Sequence, residues 1–156
     1  MAAGIAFEVV PGVSSAVAVP ASVGIPVTHR GLASSFAVVT GHEDPSKPGR
    51  RVDWERLAGA VDTLVILMGV AALPEIARRL RAAGRDPETP AAVIHRGTTF
   101  AEEVVTGTLG DIARWTAHLL FSSMIVIGDV VRLRECLQRV DAGVSAVYPA
   151  LIDAWS

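Results

Sequence analysis

The sequence predicts an α/β domain, a mixed and largely parallel sheet flanked by helices. Two patterns lead there. Short β-branched runs alternate along the chain with segments whose apolar residues recur at helical spacing. One run, "DTLVILMG", is apolar without interruption, as befits a strand in the sheet centre with both faces covered. Size and composition agree. With 156 residues, 51 % apolar and 19 % charged, the chain is one compact domain's worth and is not disordered.

The elements follow in order. "AFEVV" (residues 6–10) reads as a strand that stops at Pro11-Gly12. "VSSAVAVPASVG" is a weak helix, with Pro20 inside it and Gly24 as its stop. "SSFAVVTG" is a short β-branched strand ending at Gly41. "HEDPSKPGRR" is polar and holds two prolines, as expected of a lid or a linker. "VDWERLAGA" opens a helix with Asp53 at its N-cap. After the central strand, "VAALPEIARRLRAAG" sets Leu73, Ile76, Ala77 and Leu80 on one helix face and is capped by Gly84. "TPAAVIHRG" and "AEEVVTGTL" are two further strands. "GDIARWTAHLL" is a helix whose Ile112 and Trp115 share a face. "SSMIVIGDVV" is the last strand, and the tail from Arg132 onward is partly helical.

Several function classes drop out. The net charge of −2 gives no bulk attraction to nucleic acid or to an anionic membrane. The lone Cys136 excludes a disulfide framework and a multi-cysteine zinc site, which makes a reducing, cytoplasmic setting the expectation. The most apolar stretch, "TLVILMGVAAL", falls well short of the roughly 18–20 residues that cross a bilayer. No basic region precedes an apolar core at the N-terminus, so no signal peptide is expected.

Three strands end on glycine or a glycine-bearing turn: "VVPG", "LMG" and "VIHRG". Ligands of open α/β sheets sit at the carboxyl ends of strands, so these turns form the candidate site. In "PGVSSA", Gly12 permits close backbone approach. Ser14 and Ser15 stand at a helix start, where unpaired amides and the helix dipole favour a carboxylate or a ribose. The plainer alternative is an N-cap by Ser14. Met68 is either a ligand contact or core filler. "RGTT" gives Gly97 backbone room beside a ligand, or makes a simple turn. His29, His42 and His95 lack metal-ligand spacing and no cysteine joins them, so no metal is expected. Glu102 and Glu103 are neighbours, which in a strand point to opposite faces and cannot form a facing acid/base pair. There is no nucleophile elbow, P-loop or dinucleotide motif, and no catalytic constellation is visible.

The segments "FEVVPGVSSAVAVPASVGIPVTHRG", "VVTGHED", "VDWERLA", "TLVILMGV", "PAAVIHRGTT", "VVTGTLGDIA" and "IVIGDVVRLRE" resemble, in this order, the C-terminal half of the uroporphyrinogen-III C-methyltransferase branch of the tetrapyrrole methylase family. The resemblance runs from about Gly4 to Glu135. "GIPVTHRG" with "VTGHED" is specific to that branch, whereas "PGVSS" is shared more widely.

The resemblance implies a transferase that moves methyl groups from S-adenosylmethionine to uroporphyrinogen III, giving precorrin-2 on the way to sirohaem and cobalamin. It implies homodimers, no metal, and a cofactor folded between two α/β domains. By the same resemblance residues 1–30 are the remnant of an N-terminal domain (last strand, helix and linker). Residues 31–135 are the C-terminal methylase domain, and 136–156 are a tail of unknown role. The family's acid/base residues lie in the N-terminal half, so no catalytic residue is expected here. Cofactor contacts carry over to Ser14, Ser15, Met68 and Gly97, with Ala92 and Ile94 on the strand that leads to Gly97.

The substrate's eight carboxylates call for guanidinium forks, and Arg30 and Arg96, with His29 beside Arg30, are the substrate-binding candidates. The plainer alternative is that they are surface charges. Departures from the family pattern fall at His95, at Glu102-Glu103 and in "LLFSSMIVIG". Two expectations follow: an enzyme chain that works with an N-terminal half, supplied by a partner, or a non-catalytic fragment or dimerising α/β module.

Overall fold

The computed structural model describes residues 4–42, 52–119 and 122–141, with side chains as far as Leu137. Helix α1 (Ser15–Ser22) is followed by strand β1 (Phe36–Thr40), helix α2 (Trp54–Ala60) and strand β2 (Thr63–Leu67). A 3-10 turn at Val70–Ala72 leads into helix α3 (Leu73–Ala82), then strands β3 (Pro90–His95) and β4 (Glu103–Thr108). Helix α4 (Ile112–Trp115), strand β5 (Ser123–Ile127), a second 3-10 turn at Asp129–Arg132 and helix α5 (Leu133–Asp141) complete it. None of these helices is long and apolar enough to cross a membrane. The expected lid or linker at 42–51 lies outside the described residues beyond His42.

The five strands form one sheet in the order β1-β2-β5-β3-β4. The α/β class is as the sequence predicts, but "largely parallel" is corrected. Only β1 and β2 pair parallel, while β2–β5, β5–β3 and β3–β4 are antiparallel. The reason lies in connection length. Residues 96–102 between β3 and β4 are too few for a parallel crossover, which needs about a dozen or more. β5 then enters between β2 and β3 running against both.

Helices α2, α3 and α4 cover one face, burying Trp54, Ala58, Leu73, Ile76, Ala77, Leu80 and Ile112 against Leu64, Ile66, Val93, Ile125 and Ile127. Each of β2, β3 and β5 is buried on both faces, which explains their unbroken apolar runs. Asp53 caps α2 as expected, its carboxylate accepting from Arg56 N at 3.0 Å. On the other face Ala16 packs on Val65 and Met124, and Val23 and Ile25 pack on Ala92, Ile94, Val126 and Val130. Helix α1 therefore shares its core with the sheet, and Arg134 of α5 donates to Val23 O at 2.5 Å.

Two further expectations are corrected. Residues 6–10 are not a strand: Ile5, Phe7, Val9, Val10 and Val13 are 69–86 % exposed in irregular backbone. A β-branched run becomes a strand only beside a neighbour, and none of the described strands lies next to it. Trp115 does not share the buried face of Ile112. That face is completed by Thr116, buried at i+4 and donating its hydroxyl to Ile112 O at 2.8 Å. The Trp115 ring stays half exposed under the Arg114 guanidinium, 5.4 Å from its centroid.

Candidate functional site

Because β5 runs against both β2 and β3, strands β1, β2 and β3 all point the same way. Their carboxyl ends, Thr40-Gly41, Leu67-Met68-Gly69 and His95-Arg96-Gly97, therefore share one edge. Two of the turns touch backbone to backbone. Gly41 N donates to Leu67 O at 2.7 Å, and a Cβ on Gly41 would collide with Gly69 Cα. A Cβ on Gly69 would stand 2.7 Å from Ile66 Cγ2. Only glycine allows this approach at either place.

The same edge gathers the strained backbone. Four side-chain-bearing residues among those described have positive φ: Met68 (55°), Arg96 (46°), Thr98 (67°) and Ser122 (66°). Each follows β2 or β3 or immediately precedes β5. Such conformations cost on the order of 1–3 kcal/mol each and collect at functional sites. Arg96 N donates to Ser122 O at 2.9 Å, tying two of them together, and His95 Nδ1 lies 2.9 Å from Ser123 Oγ.

Helix α1 begins at this edge, since Ala16 sits over Met124 and Val65. Ser14 is its N-cap, accepting from Ala16 N at 3.3 Å, and both Ser14 and Ser15 are exposed. Gly97 lies beneath the helix, where a Cβ would run into Val19 Cγ1 and come within 3.1 Å of Ile94 Cγ2. Its lack of a side chain thus lets α1 cross the β3 turn. Met68 is 68 % exposed, so it is not core filler. Ala92 and Ile94 are 0 % and 1 % exposed beneath Val19 and Ile25, and they support the edge from below without lining its surface.

The proposed substrate residues divide between two ends of the sheet. Arg96 is at the carboxyl edge. His29 and Arg30 lie at the opposite edge, in an open hollow of about 670 Å³ formed by residues 28–34 and Asp62. Asp62 organises that hollow: its Oδ2 accepts from Ser34 N (2.8 Å), Ser35 N (3.0 Å) and both serine hydroxyls. The Ser34 amide above all, with the two hydroxyls, holds its carboxyl below the ordinary range. Sequence reasoning marked Gly69 and Gly97 of the carboxyl edge and took Gly41 only as a strand end. It missed Thr98 and Ser122, because nothing in a Thr or Ser marks a positive φ.

A family model for the Tetrapyrrole (Corrin/Porphyrin) Methylases matches residues 1–113. The chain belongs to the tetrapyrrole methylase family. This tetrapyrrole methylase chain is 48 % identical over 142 residues to the S-adenosyl-L-methionine-dependent uroporphyrinogen III methyltransferase of Methanosarcina barkeri, covering 90 % of itself and 56 % of that protein. It is 53 % identical over 110 residues to the uroporphyrinogen-III C-methyltransferase of Methanobacterium ivanovii, covering 70 % of itself and 46 % of the relative. The chain thus spans about half the length of the curated relatives it matches. Its fold superposes with a TM-score of 0.69, at 38 % identity, on the uroporphyrin-III C-methyltransferase of Thermus thermophilus solved with S-adenyl homocysteine, covering 83 % of this chain and 55 % of that one.

Proposed function

We propose that this chain supplies one wall of a uroporphyrinogen-III C-methyltransferase, in which a methyl group passes from S-adenosylmethionine to uroporphyrinogen III toward precorrin-2. One observation carries the reading: the start of α1, the Met68 turn and the Arg96–Thr98 turn converge on a single strained edge, in a family whose relatives bear that activity in their names. The edge suits the cofactor chemically. The positive end of α1 favours a carboxylate, the exposed Ser14 and Ser15 hydroxyls can donate to it or to a ribose, and Met68 offers an apolar contact. Bound there, S-adenosylmethionine would supply an electrophilic methyl on a sulfonium. What this chain contributes is alignment, and a displacement at carbon depends chiefly on alignment. Arg96 would take a substrate carboxylate in its guanidinium fork.

Such an enzyme would be cytoplasmic, homodimeric or two-part, and would feed sirohaem or cobalamin synthesis. The exposed apolar residues between Ile5 and Val13 support the need for a covering partner. They also favour the second reading, a dimerising module without turnover. Calorimetric titration of S-adenosylhomocysteine into the chain separates the two. Saturable binding that weakens in Met68→Ala is the expected result, and a folded chain that binds nothing sinks the cofactor assignment.

A further inference from the structure

The turn between β3 and β4 holds out a side chain that the fold does not use. Phe100 is wholly exposed (107 %), so its ring packs on nothing among the described residues. The turn that carries it is firmly held. Thr99 N donates to Arg96 O at 3.2 Å and Glu102 N donates to Thr99 O at 3.1 Å, giving two turns that share Thr99. The Thr99 hydroxyl braces both, donating to Arg96 O at 2.7 Å and accepting from Ala101 N at 3.2 Å. The Glu102 carboxylate accepts from Thr98 N at 2.7 Å, while Arg96 and Thr98 hold left-handed conformations that a Cβ disfavours. A ring kept for packing would be buried, and a ring without a role would not need so constrained a mount.

We infer that Phe100 and Arg96 together form a specificity-determining lip for the tetrapyrrole. The ring lies against the apolar face of the macrocycle, and the guanidinium takes a carboxylate on its rim. This rests on the function proposed above and adds the residue that reads the substrate's apolar part. An apolar ring system fringed with carboxylates needs an apolar surface next to a cation, and the two exposed side chains on this one turn supply that pairing. With the backbone of the turn fixed before binding, only the ring's own rotation is left to order, less than a loose loop would cost.

The test uses uroporphyrin III, the stable oxidised form of the macrocycle, titrated into the full chain and followed by its absorbance. Phe100→Ser, Phe100→Tyr and the unaltered chain are compared, and each is also titrated with S-adenosylhomocysteine. Phe100→Ser is expected to weaken uroporphyrin binding about tenfold or more, the worth of one buried aromatic ring. Phe100→Tyr should restore it, and S-adenosylhomocysteine affinity should not change in either variant. Equal uroporphyrin affinity in Phe100→Ser overturns the inference, as does a parallel loss of both ligands. If the unaltered chain binds S-adenosylhomocysteine but no uroporphyrin, the inference fails and the cofactor reading stands. If it binds neither, both fail together.

Discussion

Gly97 offers the most direct test of how α1 is held over the candidate edge. Its φ is not left-handed, so Gly97→Ala adds a methyl without a backbone penalty. That methyl would sit 3.4 Å from Val19 Cβ, 3.1 Å from Ile94 Cγ2 and closer still to Val19 Cγ1. Carbon atoms at rest lie about 3.5–4.0 Å apart, so the closest contact is overlapped by more than about 1 Å. Val19 is β-branched on a helix, where one χ1 rotamer is strongly preferred, and it cannot swing aside. Ile94 is fully buried. Helix α1 must therefore lift, and overpacking of this kind costs about 1–3 kcal/mol. For a chain of this size that lowers Tm by roughly 2–4 °C per kcal/mol. The assay is a thermal melt of Gly97→Ala, Val19→Ala and the double variant. Val19→Ala removes the colliding methyl, so the double variant should be more stable than the two single losses predict, by about 1 kcal/mol or more. A Gly97→Ala melt matching the unaltered chain, or strict additivity in the double variant, refutes the account.

Other consequences concern the frame around the site. Arg85, largely buried, donates to Asp62 O (2.6 Å), Val61 O (3.2 Å), Ala58 O (3.4 Å) and Ile127 O (3.5 Å), tying the end of α2 to β5. Arg85→Met leaves those carbonyls without their donor and should cost roughly 2–4 kcal/mol in chemical denaturation; a loss near zero would mean that water replaces the guanidinium. On the outer face, Arg79 grips Glu55 with two hydrogen bonds of 2.8 and 2.7 Å, and this contact pulls the Glu55 carboxyl from 4.5 down to about 2. A depressed carboxylate stabilises the fold above its unfolded pKa, and that contribution disappears as pH falls through the folded one. NMR titration should place the Glu55 midpoint near 2, rising toward 4.5 in Arg79→Met. A midpoint near 4.5 in the unaltered chain would show that the pair is not formed in solution.

Much of the fold is legible in the sequence because its signals are local. The 3.6-residue spacing of Leu73, Ile76, Ala77 and Leu80 marks α3, and Asp53 marks the start of α2, since a cap needs only its own next turn. The apolar run at Thr63–Leu67 announces a strand buried on both faces. The same local reading misleads at residues 6–10, where a strand-like composition has no described strand beside it. It misleads again at Trp115, because in a helix of four residues one neighbour, Thr116, decides which side is buried.

The sequence by itself determined the family, the alternation of strands and helices, and the glycine-bearing turns after β2 and β3. Those properties reside in residue types and short spacings. Only the tertiary structure decided that β5 enters antiparallel between β2 and β3, and that His29 and Arg30 lie at the edge opposite Arg96. It alone brought Met68, Arg96, Thr98 and Ser122 into one strained cluster and set α1 on Gly97. These are contacts between residues far apart in the chain. They arise only when the sheet closes its pairings and each turn accepts the backbone that its neighbours leave it.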